Sequence, residues 1–235
     1  MNILYEDDEL LAVDKPAGMV VHPTYKNRSG TLLDALLGRV AAPSIVGRLD
    51  RLVSGIVIVA KGAEAHARLQ RAMTDTSCEK SYVAVVAGLV QPDRGSIDLG
   101  IRVDPADRRR VIVSETGGAA SLTSFERIAS AASAALGTSL QTYSLARCRI
   151  FTGRRHQIRA HLAARGWPIV GDPIYGTLIE TFPRIALHAH RASFTHPATG
   201  AALAIESPLP SDLMMLLSRL GLGDATETPG QASQS

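Results

Sequence analysis

A carboxylate, a phenol and a set of guanidinium groups occur in this 235-residue chain where the backbone must turn sharply or extend. Asp50 lies in Gly47-Arg48-Leu49-Asp50-Arg51-Leu52-Val53-Ser54-Gly55, immediately ahead of the β-branched run Ile56-Val57-Ile58-Val59-Ala60. An aspartate at such a loop-to-strand junction, flanked by Arg48 and Arg51, is expected to stay ionised and to project from the sheet. That suits a nucleophile or a base. Tyr82 belongs to Lys80-Ser81-Tyr82-Val83-Ala84-Val85-Val86-Ala87-Gly88, an alternating run that turns Tyr82, Ala84 and Val86 to one face. Its ring could stack on a base or take part in proton transfer in a dry pocket. The third group is Thr152-Gly153-Arg154-Arg155-His156-Gln157-Ile158-Arg159-Ala160-His161-Leu162, followed by Gly166-Trp167-Pro168-Ile169-Val170-Gly171-Asp172-Pro173-Ile174-Tyr175-Gly176. An arginine beside Gly153, just inside a helix start, can reach a carboxylate or phosphate while the helix N–H groups add positive potential.

The elements that must position these groups are legible from periodicity. Leu10 to Asp14, Ile56 to Ala60, Tyr82 to Val86 and Leu140 to Ile150 read as strands, and Leu187 to Phe194 with Ala201 to Ile205 as a closing hairpin. Thr31 to Val40, Ala63 to Met73 and Arg155 to Arg165 carry helical spacing, the last stopped by Gly166 and Pro168. Ala129 to Ser139, rich in Ala and Ser, reads as a loop or hairpin connection, and residues 221–235 as a disordered tail after one domain spanning 1–220. Strands outweigh helices and no regular βαβ rhythm appears, so the expected class is α+β with a large mixed, mostly antiparallel sheet flanked by helices and loops.

Composition narrows the partners. Hydrophobic residues make up 46% and charged residues 20%, which is globular usage and excludes wholesale disorder. No apolar run approaches a membrane span, the N-terminus lacks a basic leader, and two cysteines are too few for a disulfide scaffold; a cytoplasmic protein is expected. The net charge of +3 understates the basicity of the body, because residues 1–14 hold five acids and no Lys or Arg. Of the 25 basic residues 21 are Arg, which bind phosphates bidentately and stack on bases, so nucleic acid is the leading partner, with no membrane partner expected and a monomer anticipated. Neither G-x-G-x-x-G nor a P-loop occurs. His156 and His161 diverge on a helix and His188 and His190 lack acidic neighbours, so no metal is expected. A hydrolase using Ser54 or Asp50 is the weaker alternative, since no G-x-S-x-G elbow surrounds Ser54.

Together with Ile3 to Pro23, Leu187-His188-Ala189 and Phe194-Thr195-His196-Pro197, these segments resemble the RluA family of pseudouridine synthases over about residues 3 to 213. The resemblance implies the pseudouridine synthase fold, with an active-site cleft across the sheet, and isomerisation of uridine in rRNA or tRNA without metal or organic cofactor, so that RNA is the expected partner and DNA is not. It makes Asp50 the catalytic aspartate, Tyr82 the active-site tyrosine, Arg154 the basic partner of Asp50 and Leu187 an apolar wall. Arg48, Arg51, His156, Gln157 and Arg159 are expected to bind substrate. Gly47 and Val53 depart from the family's usual His and Thr. No S4-type module is expected ahead of Ile3. A catalytically inactive RNA-binding module of the same fold is the alternative, against which the presence of Asp50, Tyr82 and Arg154 argues.

Overall fold

The computed structural model describes residues 2–25, 27–137 and 139–223. The chain opens with a hairpin of β1 (Asn2–Glu6) and β2 (Leu10–Lys15), closed by Asp7, whose carboxylate accepts the Glu9 and Leu10 amides at 2.8 and 2.9 Å. Helix α1 (Leu32–Leu36) begins at Thr31 with a capping box shared with Asp34. It ends well short of the Val40 expected from the leucine spacing. The Arg39 and Val40 amides both turn back to the Leu36 carbonyl, which closes the helix ahead of β3 (Pro43–Val46). The β-branched run becomes β4 (Ser54–Lys61), and α2 (Ala63–Ala72) packs Ala65 and Leu69 inward.

The second half is built on β5 (Glu79–Ala87), β9 (Leu122–Ser133) and β10 (Gln141–Ile150), joined by β6 (Arg94–Asp98) at one edge. A separate two-stranded ribbon holds β7 (Gly100–Val103) and β8 (Val111–Ser114). The Ala- and Ser-rich stretch expected as a loop is strand as far as Ser133, Ala129 to Ser133 pairing with Leu145 to Gln141. The ladder with β10 overrides the weak strand preference of small residues, and the connection is confined to the residues beyond Ser133.

Helix α3 (Gln157–Ala164) precedes β11 (Leu187–Thr195), β12 (Ala202–Glu206) and α4 (Ser211–Leu220). Gly221 closes α4 in the left-handed region, φ +70°, and the Leu222 amide returns to the Leu217 carbonyl. Leu222 is thereby buried in the core, so the packed domain runs past the expected boundary at residue 220. The rest of the expected tail, 224–235, lies outside the described residues.

Ten strands form one mixed sheet, along the order β1-β2-β4-β11-β5-β10-β9-β6, with β3 beside β4 and β12 beside β11. This is the α+β arrangement expected from the sequence. β11 therefore lies between β4, which follows the Asp50 loop, and β5, which carries Tyr82. Its contact with β4 is parallel and short, His188 opposite Ser54 and Ala189 opposite Gly55. Gly55 permits it: φ is +113°, and a Cβ there would stand 2.3 Å from the Ala189 carbonyl oxygen. Beyond this point β4 takes β3 and β11 takes β12 as partner, so the sheet forks. The main core lies around β5, β10 and α4, with smaller apolar clusters on the two faces of β2 and β4. Among the described residues no helix is long and apolar enough to cross a membrane.

Candidate active site

A cavity of about 600 Å³ opens at the fork of the sheet and brings Asp50, Tyr82, Leu187 and the segment 153–159 to one surface. Pairing explains the convergence. Tyr82 on β5 faces Ala189 on β11, which in turn faces Gly55 on β4, so the phenol is flanked along its row by a methyl group and a bare backbone. Leu187, two positions from Ala189 and therefore on the same face, lines the cavity as an apolar wall.

Asp50 is held by Arg159. The Arg159 Nη1 donates to Asp50 Oδ2 at 2.7 Å, while its Nε and Nη2 donate to the two oxygens of Asp172 at 2.7 and 2.9 Å. Among the described residues no donor reaches Asp50 Oδ1. The Arg159 and Asp172 side chains are 4% and 0% exposed, against 18% for Asp50, so the buried end of this chain of charges is the Asp172 end. Burial alone would favour neutral Asp172. Hydrogen bonds from Arg159 and from the Ile174 and Tyr175 amides reverse the balance and hold its carboxyl below the ordinary range. Neighbouring carboxylates likewise outweigh burial at Arg159 and raise its pKa.

The expected pairing of Arg154 with Asp50 is therefore corrected: the partner is Arg159. Arg154 precedes the first turn of α3 rather than lying inside it, is exposed on the cavity rim, and its Nε donates to the Ala120 carbonyl at 3.3 Å. The cause is His156, which caps α3 at φ +53°, the one described residue other than glycine in the left-handed region. This turn separates Arg154 from the helix and lets Arg159 descend into the interior. Gln157 is also on the cavity lining, but its polar atoms are committed to the protein. It is buried, its Oε1 accepting the Arg154 amide at 3.0 Å and Thr152 Oγ1 at 2.8 Å, and its Nε2 donating to the Leu122 carbonyl at 2.9 Å. Arg51 turns from the cavity to the Gly18 carbonyl at 3.1 Å, whereas Arg48 remains on its lining.

His156 lines the cavity with Nε2 3.7 Å from Asp50 Oδ2 and Nδ1 3.1 Å from the Tyr175 hydroxyl. Burial pushes its pKa down to about 4, so at neutral pH it is uncharged and this approach to Asp50 is no ion pair. Burial, reinforced by the charge of Asp50, drives the Tyr82 phenol well above its ordinary pKa, so it stays protonated at neutral pH. Sequence reasoning passed over Lys15. It is fully buried, donates from Nζ to the Pro16, Met19 and Arg51 carbonyls at 2.9, 3.0 and 3.4 Å, and ties the first loop to the one bearing Asp50. Desolvation lowers its pKa to about 8. A lysine within Asp14-Lys15-Pro16 gives no sign in sequence that it is buried. Of the two departures from the family motif, Gly47 adopts φ +81° at the cavity edge and Val53 packs into the main core.

Ser54 and His188 are in contact, Oγ to Nδ1 at 2.9 Å, but both are almost wholly buried and Ser54 Oγ also accepts from Arg184 at 3.0 Å. This is a structural knot between β4 and β11. Among the described residues no group of three or more His, Cys, Asp or Glu side chains is placed to hold a metal ion.

The sequence model of the RNA pseudouridylate synthase family matches residues 9–164, and the chain belongs to that family. It is an RNA pseudouridine synthase, an isomerase whose partner is RNA. Ribosomal large subunit pseudouridine synthase D of Pseudomonas aeruginosa is 39% identical, the match covering 94% of this chain and 72% of that protein. An uncharacterized RNA pseudouridine synthase of Bacillus subtilis, YlyB, is 37% identical over 94% of this chain and 73% of its own length. Among solved structures, human RNA Pseudouridylate Synthase Domain Containing 1 superposes with a TM-score of 0.72 at 26% identity, covering 89% of this chain and 83% of that one.

Proposed function

We propose that this protein converts a uridine of large-subunit ribosomal RNA to pseudouridine and that the Asp50 carboxylate starts the reaction. The observation that carries the reading is Asp50 itself, in a mostly apolar cavity, held through one oxygen by Arg159 and sharing that cavity with Tyr82 and Leu187. The two relatives described above support the activity, and the name of the first supports the choice of RNA.

The reaction breaks the N1–C1′ bond, turns the uracil, joins C5 to C1′, and moves the C5 proton away while N1 regains one. Substrate and product are isomers, so no oxidant, reductant or water is consumed. A stacked uridine is out of reach of any side chain, so the nucleotide must be turned out of its helix into the cavity at a cost of a few kcal/mol. The exposed Arg154 and Arg155, with Arg48, lie on the rim where phosphates would pass and can offset that cost. Once inside, the base lies against the Tyr82 ring over the space left by Gly55 and Ala189, with Leu187 as its apolar wall. Asp50 Oδ1 then either attacks the sugar or removes a sugar proton. Protonated Tyr82 enters as a stacking partner, and it accepts the C5 proton only after yielding its own.

The test is Asp50→Asn, assayed for pseudouridine in ribosomal and transfer RNA from cells carrying either version. Loss of one large-subunit site, with RNA affinity kept within about tenfold, is the expected result. Turnover by the variant would refute the assignment of Asp50, and loss of a transfer RNA site instead would refute the choice of substrate.

A further inference from the structure

The run Gly171-Asp172-Pro173-Ile174-Tyr175-Gly176 has no part in the reaction as described so far, yet its backbone is closely specified. Both ends are glycine by necessity. At Gly171, φ +74°, a Cβ would stand 2.0 Å from the Arg184 carbonyl oxygen, and at Gly176 2.8 Å from that of Ile169. The Asp172 amide donates to Ile169 and the Gly176 amide to the Asp172 carbonyl, both at 3.2 Å. Within the loop the Ile174 and Tyr175 amides donate to Asp172 Oδ1 at 2.9 and 3.1 Å, which fixes the carboxylate plane.

That plane faces Arg159. Two parallel donors, Nε and Nη2, meet the two Asp172 oxygens, the fork-to-fork geometry that sets a guanidinium in position as well as in orientation. The Tyr175 ring covers the same guanidinium, 5.2 Å from its Cζ. The ring is itself pinned, its hydroxyl accepting the Val111 amide at 2.8 Å and lying 3.2 Å from the Val111 carbonyl on β8. With two donors and one face taken, Nη1 is left pointing at Asp50 Oδ2.

We propose that Asp172 is a positioning residue for the isomerisation, acting through Arg159 to aim Asp50 and to divide the guanidinium charge between two carboxylates. The inference rests on the assignment of Asp50 as the initiating group. A lone arginine would sit as a bidentate partner on Asp50 and occupy both of its oxygens. Held from behind by Asp172, Arg159 takes Oδ2 only, and Oδ1 remains for the sugar. The Asp50 charge is correspondingly less quenched than in a one-to-one pair. Tyr175 serves the same end by keeping the guanidinium from swinging out of the Asp172 plane.

Single-turnover kinetics at saturating enzyme, beside circular dichroism as the measure of folded protein, separates this role from a purely structural one, because the saturated rate constant reports the chemistry of bound enzyme whatever fraction is folded. Asp172→Asn keeps the shape and removes the charge. Asp172→Glu keeps the buried charge but displaces the guanidinium by about one methylene, and misplacement of about 1 Å costs roughly 100-fold in rate. The expected result is a rate constant lowered about 100-fold in Asp172→Glu, with RNA affinity preserved, and a comparable loss in whatever fraction of Asp172→Asn folds. A wild-type saturated rate constant in Asp172→Glu, whether the folded fraction is full or reduced, overturns the proposal. Asp50→Asn runs alongside: its turnover would overturn the parent assignment, whereas an inactive Asp50→Asn beside a fully active Asp172→Glu would sink this inference alone.

Discussion

Replacing Arg159 by Met should cost far more stability than replacing Arg154 by Met, although the two lie five residues apart in one basic segment. Arg159→Met leaves the fully buried Asp172 carboxylate without its cation, and breaking a buried pair from one side typically costs about 3–5 kcal/mol. The Ile174 and Tyr175 amides still reach Asp172 Oδ1, which places the expected value near 3 kcal/mol, a large share of the roughly 5–15 kcal/mol available to a domain. Arg154→Met loses one 3.3 Å hydrogen bond at the surface and should stay within about 0.5 kcal/mol of the parent. The double variant Arg159→Met, Asp172→Leu removes both charges and should recover part of the loss despite carrying one more substitution. Urea unfolding, with the midpoint read at constant slope, gives all three numbers. Equal losses for the two arginines, or a double variant no more stable than Arg159→Met alone, would show that Arg159 is not the buried partner.

Two further expectations follow from the fold. Gly55→Ala puts a methyl group against the Ala189 backbone at a φ of +113°, and neither strand can yield without parting β4 from β11; the variant should lose several kcal/mol or fail to accumulate as folded protein, which thermal unfolding would reveal. Burial pushes the imidazoles of His156 and His188 down to about 4, below the 6.5 of an unfolded chain. The unfolded state therefore binds protons first as the pH drops, so stability is full above about pH 6.5 and declines towards about pH 4. For His188, sealed from solvent, the loss across that window is about 3 kcal/mol. His188→Gln should flatten the decline in denaturant titrations between pH 7 and pH 4.5, and an unchanged slope would contradict the account.

Local pattern carried much of the fold. Alternation in Tyr82 to Val86 and the β-branched run at Ile56 marked the two strands that frame the cavity, and the spacing of Leu69 with Met73 and of Ile158, His161, Leu162 and Arg165 marked α2 and α3. What pattern could not carry was which of several like residues travels inward. Arg154, Arg155 and Arg159 are chemically equivalent in sequence, and the choice among them is made by His156 entering the left-handed region, which no propensity scale foretells. Gln157 lies at the cavity, but pattern gave no sign that its amide would be spent on the preceding loop. The Ala129 to Ser133 strand was missed because its order comes from β10 rather than from its own residues. Asp172 and Tyr175 stood within a glycine-bracketed run already visible in sequence, but their partner lies across the fold.

The place of β11 between β4 and β5 bears on when the enzyme comes into being during synthesis. The strand that joins the Asp50 half of the sheet to the Tyr82 half follows both halves in the chain and leaves the ribosome after them. Before it docks, the nascent polypeptide consists of two unjoined half-sheets with their unpaired edges exposed, a condition in which a chaperone or a neighbouring chain can compete for the gap. Its insertion is thus a single event that both covers those edges and brings Asp50 and Tyr82 to one cavity.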